Sequence, residues 1–406
     1  MNATGPRVRW AVLALLMTAL LSSLHARAED QAKELVRGNT EFAVDLYQRE
    51  RAGNGNLFFS PYSISSALGM TYAGARGQTE KEMARVLHFG SNPATVHAGF
   101  RKLNDRVKEI GSGGKVSLNI ANSLWCQKSY PFTEAFLKLN HDFYQAEARL
   151  VDFMTGAESV RAQINSWVAT NTQDKIQNLI SPGALTASTR LVLCNAIYFK
   201  GKWTSQFDPK VTGPEPFHTG SGEVQAMLMR QTLSLRSHNV DDGVLFALPY
   251  TDGNLSMLIL LPDAVDGLAS IEKNLTAARL RQWLDALDQA RETKAQLFLP
   301  RFKLDLRLDL GKTLSAMGMP SAFGPKADFS GMSARGDLFI SDVIHQAFVE
   351  VNEEGTEAAA ATAVTMRATS FSPIRQLRVD HPFLFLIREN QTGNLLFLGR
   401  VLSPTK

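Results

Sequence analysis

Residues 351–364 read Val-Asn-Glu-Glu-Gly-Thr-Glu-Ala-Ala-Ala-Ala-Thr-Ala-Val, and no other stretch narrows the choice of fold as far. A charged turn and one Gly come first, then nine residues with no side chain larger than Glu or Val. Ala has the best helix propensity. A helix here would nevertheless carry methyl groups all round and no apolar stripe to bury at 3.6-residue spacing. The alternative is a strand held in reserve, since small side chains can slide between two existing strands without clashing. That alternative requires a fold able to receive it.

The chain starts with Arg7 and Arg9, an apolar run from Trp10 to Leu21, and then Ala26-Arg27-Ala28. A charged start, an apolar centre and a small-x-small end predict a secretory signal peptide over residues 1–28, cut after Ala28. The apolar run of twelve residues falls short of the roughly 20 that a membrane span needs. Export to the periplasm or the medium is the expectation. Residues 29–406 then form one domain, with no linker or repeat dividing them.

Removing the leader takes three Arg from 43 basic residues and leaves 40 against 39 acidic ones. A balance so near neutral gives no argument for a nucleic-acid or membrane partner, whatever the full-length pI suggests. Cys126 and Cys194 are the only cysteines, each inside an apolar run, and are read as two buried free thiols. Four residues separate Cys126 from Asn122, which keeps them on one strand face, while Cys194 and its neighbour Asn195 face opposite ways. If the two Asn share a face, the thiols cannot meet.

Leu35, Phe42, Leu46 and Tyr47 recur near helical spacing, predicting a helix over 30–50. Another is predicted over 63–73 and a third over 96–110, where Val96, Phe100, Leu103, Val107 and Ile110 repeat at 4-3-4-3. A helix around 160–171 separates strands at 116–126 and 191–199. From residue 243 strands dominate, at 244–248, 255–261, 295–299, 338–340, 347–351, 383–387 and 395–401, interrupted by one helix over 271–287. Residues 366–380 lack periodicity and read as an exposed loop. Helices early and strands late predict an α+β architecture.

No Gly-x-Ser-x-Gly elbow, His-Glu-x-x-His or Cys-x-x-Cys occurs, and the eight His have no metal-ligand spacing. No metal or cofactor is expected. Gly111-Ser112-Gly113-Gly114-Lys115 lacks phosphate-loop spacing and precedes a strand, so it reads as a turn. Arg101, Lys102, Arg106 and Lys108 alternate with Asp105 and Glu109 and read as a solvated helix face. Ser60, Ser63, Asn122, Asn195 and His345 lie in or beside apolar runs, where each polar side chain must find a hydrogen-bond partner.

Several segments now fall into one familiar order. They are Asn56-Leu-Phe-Phe-Ser60-Pro61-Tyr-Ser63, Ala121-Asn122-Ser-Leu-Trp125, Ile164-Asn165-Ser-Trp167 and Asn195-Ala-Ile-Tyr-Phe-Lys-Gly-Lys-Trp203. Leu248-Pro-Tyr250, Leu260-Leu-Pro-Asp263, Ala327-Asp-Phe-Ser-Gly331, 351–361, Asp380-His-Pro-Phe-Leu-Phe385 and Leu396-Phe-Leu-Gly-Arg400 follow. From first helix to last strand the chain resembles a serpin, and the resemblance is to a secreted inhibitory member of bacterial type. Ala226-Met-Leu-Met229 and Ala247 depart from the usual family residues, away from the mechanism.

The resemblance implies three β-sheets, about nine helices and an exposed reactive loop at about 353–379. It implies a shutter of Ser60, Ser63, Asn195 and His345 under the central sheet, with Asn122 nearby, and a breach Trp at Trp203. Glu353 and Gly355 resemble the hinge; Thr356, Ala358, Ala359, Ala360, Ala361 and Thr362 resemble the insertion strand. Thr356, Ala358, Ala360 and Thr362 alternate onto one face, and none is charged or bulky. The implied activity is suicide inhibition of a serine protease by a monomer, with a non-inhibitory carrier or chaperone, or a cysteine protease target, as alternatives. Counting Glu353 as the seventeenth residue before the scissile bond puts that bond at Thr369–Ser370, an elastase-like site. Arg367–Ala368, trypsin-like, and Phe371–Ser372, chymotrypsin-like, stay open.

Overall fold

The 4-3-4-3 spacing becomes helix α4 (Pro93–Ser112), with Val96, Phe100, Leu103, Val107 and Ile110 all buried. Asn92 starts it by accepting the Ala94 amide at 3.0 Å, and Pro93, lacking an N–H, leaves one orphan donor fewer in the first turn. The computed structural model describes residues 30–356 and 374–405. Helix α1 covers 30–50, as its periodicity predicts, and strand β1 (Leu57–Phe59) leads into α2 (Pro61–Tyr72). Helix α2 is buried on almost every residue, which is why its sequence carries small side chains rather than an apolar stripe.

The central sheet has six strands. In spatial order they are β10 (Phe302–Asp309), β11 (Ile344–Val351), β12 (Gly355–Thr356), β4 (Leu191–Lys202), β2 (Val116–Gln127) and β3 (Glu147–Val151). Nine more strands form a second assembly. One part runs β1, β15 (Leu395–Val401), β14 (Phe383–Glu389), β8 (Leu255–Pro262), β7 (Gly243–Pro249) and β6 (Gly222–Val240). The long β6 continues past β7 to pair with β5 (Gly213–Thr219) and β9 (Glu292–Pro300), and β9 pairs in parallel with β13 (Arg375–Arg378). Sharing β6, these are two sheets, so the molecule has three. With α3 (Gly77–Val86), α5 (Glu134–Tyr144), α6 (Phe153–Asn171), α7 (Leu268–Asn274), α8 (Ala277–Gln289) and α9 (Gly311–Met317), nine α-helices occur among the described residues. The fold is α+β, as expected.

The core has two parts separated by the central sheet. Cys126 packs into the large one and Cys194 into the small one beneath α6, so the thiols sit on opposite faces and are free. The register pairs Asn122 with Asn195 and Ser123 with Cys194, which is what the strand-parity argument requires.

Four expectations need correcting. Leu338–Ile340 is not a strand; the Ile340 amide bonds the Ala322 carbonyl at 2.9 Å, on a short turn and away from any sheet edge. The helix over 271–287 is two helices, because Thr276 caps the Arg279 amide at 3.2 Å and starts α8 afresh. The loop read over 366–380 contains β13, a polar edge strand held by β9. The strand-rich part starts before 243, since β5 and β6 already form a hairpin across Gly220 and Ser221. The predicted leader lies outside the described residues.

Candidate functional site: hinge, breach and shutter

Strand β11 ends at Val351, and Asn352, Glu353 and Glu354 turn the chain back. The Asn352 amide bonds the Gly355 carbonyl at 2.9 Å, and the Asn352 side chain accepts the Glu354 amide at 3.1 Å. Strand β12 then enters between β11 and β4, with Thr356 opposite Val351 on one side and Gly201 on the other. Only Gly fits at 355: φ is +155°, and a Cβ there would stand 1.9 Å from the Gly201 carbonyl oxygen.

Trp203 closes the end of this slot. Its ring stacks on Tyr250, centroids 4.7 Å apart at 15°, and its indole N–H donates to the Asn352 carbonyl at 3.0 Å. The Trp203 amide bonds the Glu354 carbonyl at 2.7 Å, and the Phe207 amide that of Glu353 at 2.8 Å. Tyr250 and Thr356 share a hydroxyl–hydroxyl hydrogen bond of 2.8 Å, with Thr356 1% exposed.

Glu353 is anchored from the far side. Arg301 donates through Nε at 2.8 and 2.9 Å and Nη2 at 2.5 Å, and Thr212 donates at 2.6 Å. Burial pushes the Glu353 carboxyl up, but the Arg301 and Thr212 bonds outweigh it and hold the group below its ordinary value. Glu354 is also buried, its Oε2 3.9 Å from the Lys202 ammonium. An open cavity of about 430 Å³ flanks the turn, lined by Arg301, Lys303, Glu350 and both hinge carboxylates.

The shutter residues meet as one chain of hydrogen bonds. Asn122 donates to the Tyr144 carbonyl at 2.8 Å, and Asn195 donates to Asn122 Oδ1 at 2.6 Å. Ser63 Oγ donates to Asn195 Oδ1, and the Ser63 amide donates to Ser60 Oγ at 3.1 Å, capping α2. Ser60 Oγ donates to the Leu396 carbonyl at 2.6 Å, while its amide donates to His345 Nε2 at 3.0 Å. An Nε2 that accepts an amide proton carries none of its own. Burial agrees, lowering the His345 pKa to about 3. The imidazole therefore faces an amide and the hydroxyl faces a carbonyl, so Ser60 and His345 are not a nucleophile and its base. This cluster ties β2, β4 and β11 of the sheet to α2 and β15 beneath it.

Thus Ser60, Ser63, Asn122, Asn195 and His345 come together in one place, and Trp203, Glu353, Gly355 and Thr356 in another. Ala358 to Thr362, Arg367, Thr369, Ser370 and Phe371 lie outside the described residues. Sequence reading missed Arg301, Thr212 and the role of Tyr250. Arg301 carried a faint signal, a cation directly after the apolar run 297–300. Thr212 carried none.

A family model described as "Serpin (serine protease inhibitor)" matches residues 37–404. The chain belongs to the serpin family. It is 42% identical to the leukocyte elastase inhibitor of Bos taurus over 383 residues, covering 92% of this chain and 100% of that one. Among solved structures it is similar to uncleaved ovalbumin, with TM-score 0.81, 31% identity, and 91% and 100% coverage. Human thyroxine-binding globulin is equally similar, with TM-score 0.82, 30% identity, and 93% and 100% coverage. In this serpin the residues expected at the hinge and breach gather around β12, and those expected at the shutter gather between α2 and the central sheet.

Proposed function

We propose that this serpin is a suicide-substrate inhibitor of serine endopeptidases. A protease attacks the bond after its preferred residue in the loop and becomes acylated. The severed loop then enters the central sheet behind Thr356 and carries the acyl-enzyme away before water can release it. Strand addition and release of stored strain are established for serpin loops. The observation that carries the reading for this chain is Thr356 itself, already seated between β11 and β4 against Tyr250. The residues that follow it are small, as an entering strand needs.

Residues 357–369 would add roughly 13 residues of strand and about 13–26 backbone hydrogen bonds, or about 10–30 kcal/mol at ~1 kcal/mol each. A typical domain is stable by about 5–15 kcal/mol. The insertion is large enough to distort a captured protease. Catalysis belongs to the target, and the serpin's own Ser and His take no part.

An elastase-like target at Thr369–Ser370 is favoured, in line with the bovine relative's name. The chain acts as a monomer after export. A bacterial type finds no support in that mammalian relative. Likeness to thyroxine-binding globulin favours a carrier as the second reading. Incubation with a panel of elastase-, trypsin- and chymotrypsin-like enzymes, and one cysteine protease, separates these readings on an SDS gel. A covalent complex is expected; loop cleavage with no complex from any enzyme overturns the inhibitor reading.

A further inference from the structure

The loop between α1 and β1 contains Gly53-Asn54-Gly55, and Asn54 is the only asparagine of the chain followed by glycine. All three residues are exposed, and a Cβ on Gly55 would meet no atom within 4 Å. Among the described residues, neither the Asn54 side chain nor the Gly55 amide makes a hydrogen bond. A glycine amide that no side chain shields therefore follows an unengaged carboxamide, with open space around both.

The flanks of this dipeptide are held firmly. Arg400, 4% exposed on β15, donates from Nε to the Gly55 carbonyl at 3.0 Å and from Nη2 to the Gly53 carbonyl. Its Nη1 donates to Glu272 at 3.0 Å, and Glu272 also accepts the Tyr47 hydroxyl. Asn56 accepts the Leu402 and Ser403 amides at 2.7 and 3.1 Å. One buried guanidinium thus grips the two carbonyls that bracket Asn54, and its reach matches their present spacing.

We propose that Asn54 is a self-modifying site: it deamidates through a succinimide to isoaspartate, and the lengthened main chain breaks the Arg400 grip. The Gly55 nitrogen attacks Asn54 Cγ, forming a C–N bond as the Cγ–Nδ2 bond breaks. Ammonia leaves, taking the Gly55 amide proton. Water then opens the ring. Addition at the main-chain carbonyl carbon breaks its bond to the Gly55 nitrogen, so the chain runs on through Cγ and a carboxylate is left as the side group. Addition at Cγ gives ordinary aspartate. Only water is consumed, and both products carry a new negative charge.

The isoaspartate path places an extra carbon between the Gly53 and Gly55 carbonyls, so Nε and Nη2 no longer meet both. A buried guanidinium N–H without an acceptor is destabilising. Ageing should therefore loosen the loop from β15. Nothing in this chemistry depends on the inhibitory reading above.

The full chain is aged in mildly alkaline buffer, digested and mapped by mass spectrometry, with isoaspartate measured by protein isoaspartyl methyltransferase. The peptide containing residue 54 should convert first, splitting into aspartate and isoaspartate forms. Asn54→Gln, which would have to close a larger ring, should stay unmodified over the same period. An unmodified Asn54, or another asparagine converting ahead of it, overturns the site.

The loss of grip is read separately by urea unfolding. Aged wild type should gain a population with a lower midpoint, growing with its isoaspartate fraction, while aged Asn54→Gln keeps its fresh midpoint. Fresh Asn54→Asp carries the charge without the extra carbon and should match fresh wild type. Equal midpoints for aged and fresh wild type at high isoaspartate content overturn the loss of grip. So does a drop in fresh Asn54→Asp as large as that of the aged protein.

Discussion

Tyr250 and Thr356 are joined hydroxyl to hydroxyl at 2.8 Å, both buried, at the point where β12 slots between β11 and β4. Thr356→Arg places a cation in a pocket floored by Tyr250 and walled by backbone, where burying an unpaired charge costs several kcal/mol. The loop should still be recognised and cut, but entry should stall at its first residue. SDS-stable complex should vanish and active protease should be released. Thr356→Val, which only leaves the Tyr250 phenol unpartnered, should cost about 1 kcal/mol in stability and keep most of the complex. Complex at wild-type yield from the Arg variant contradicts the insertion mechanism.

Gly355 and Gly201 approach more closely than any side chain permits, with a Cβ at 355 falling 1.9 Å from the Gly201 oxygen. Gly355→Ala should therefore push β12 out of the sheet or spread β4 from β11. Overpacking of this kind costs about 1–3 kcal/mol. A lower melting temperature and faster amide exchange at 355–356 are expected. Unchanged exchange there contradicts the geometry.

The uneven legibility of this chain has physical causes. Helix α4 announced itself because one face is buried and one is wet, leaving a 4-3-4-3 trace. Strand β6 did not, because its exposed face carries Arg230, Thr232, Ser234 and Arg236 and it crosses between two sheets, so no long apolar run marks it. Leu338–Ile340 misled for the opposite reason, an apolar triplet with no strand beside it. The shutter was out of reach of local pattern altogether: Ser60 and His345 are 285 residues apart, and only the family resemblance joined them. Arg301 and Glu353 met unannounced, since an ion pair across 52 positions leaves no periodic trace.

His345 makes the shutter pH-sensitive. Burial lowers its pKa from the ordinary 6.5 to about 3, so below pH 6.5 the unfolded chain binds a proton that the folded chain refuses. Stability present above pH 6.5 is therefore lost as the pH falls toward 3. His97, buried and lowered to about 4, acts in the same sense. His88, held up by its hydrogen bond to Asp45, opposes them. So does His381, where burial lowers the pKa but the Asp380 bond outweighs it. His345→Gln keeps an acceptor for the Ser60 amide and removes the titration. Urea midpoints from pH 7.5 to 4 should fall less steeply for the variant than for wild type; parallel curves contradict the assignment.

Cys126 and Cys194 lie on opposite faces of the central sheet, and burial pushes both thiols up to about 12. Neither should react with a maleimide in the folded protein, since the thiolate is the reactive form. After denaturation without reductant, both should label. A mass showing no label would mean a disulfide and would contradict the register of β2 with β4.

The scissile bond is the last expectation, and small side chains argue it. Thr369 is short and β-branched, flanked by Ala368 and Ser370. A shallow elastase-like pocket accepts such a residue, whereas a deep apolar pocket would stay partly empty. Arg367, two residues earlier, would meet the carboxylate of a trypsin-like pocket through a charge-assisted hydrogen bond, so slow cutting there is expected. Cleavage after Arg367 leaves a tether two residues shorter, and a shorter tether should favour release over capture. Covalent complex with an elastase-like protease and mostly plain cleavage by a trypsin-like one are the expected outcomes. Mass spectrometry of the released C-terminal peptide decides: a fragment beginning at Ser370 agrees, and one beginning at Ala368 or Ser372 from a stable complex moves the bond.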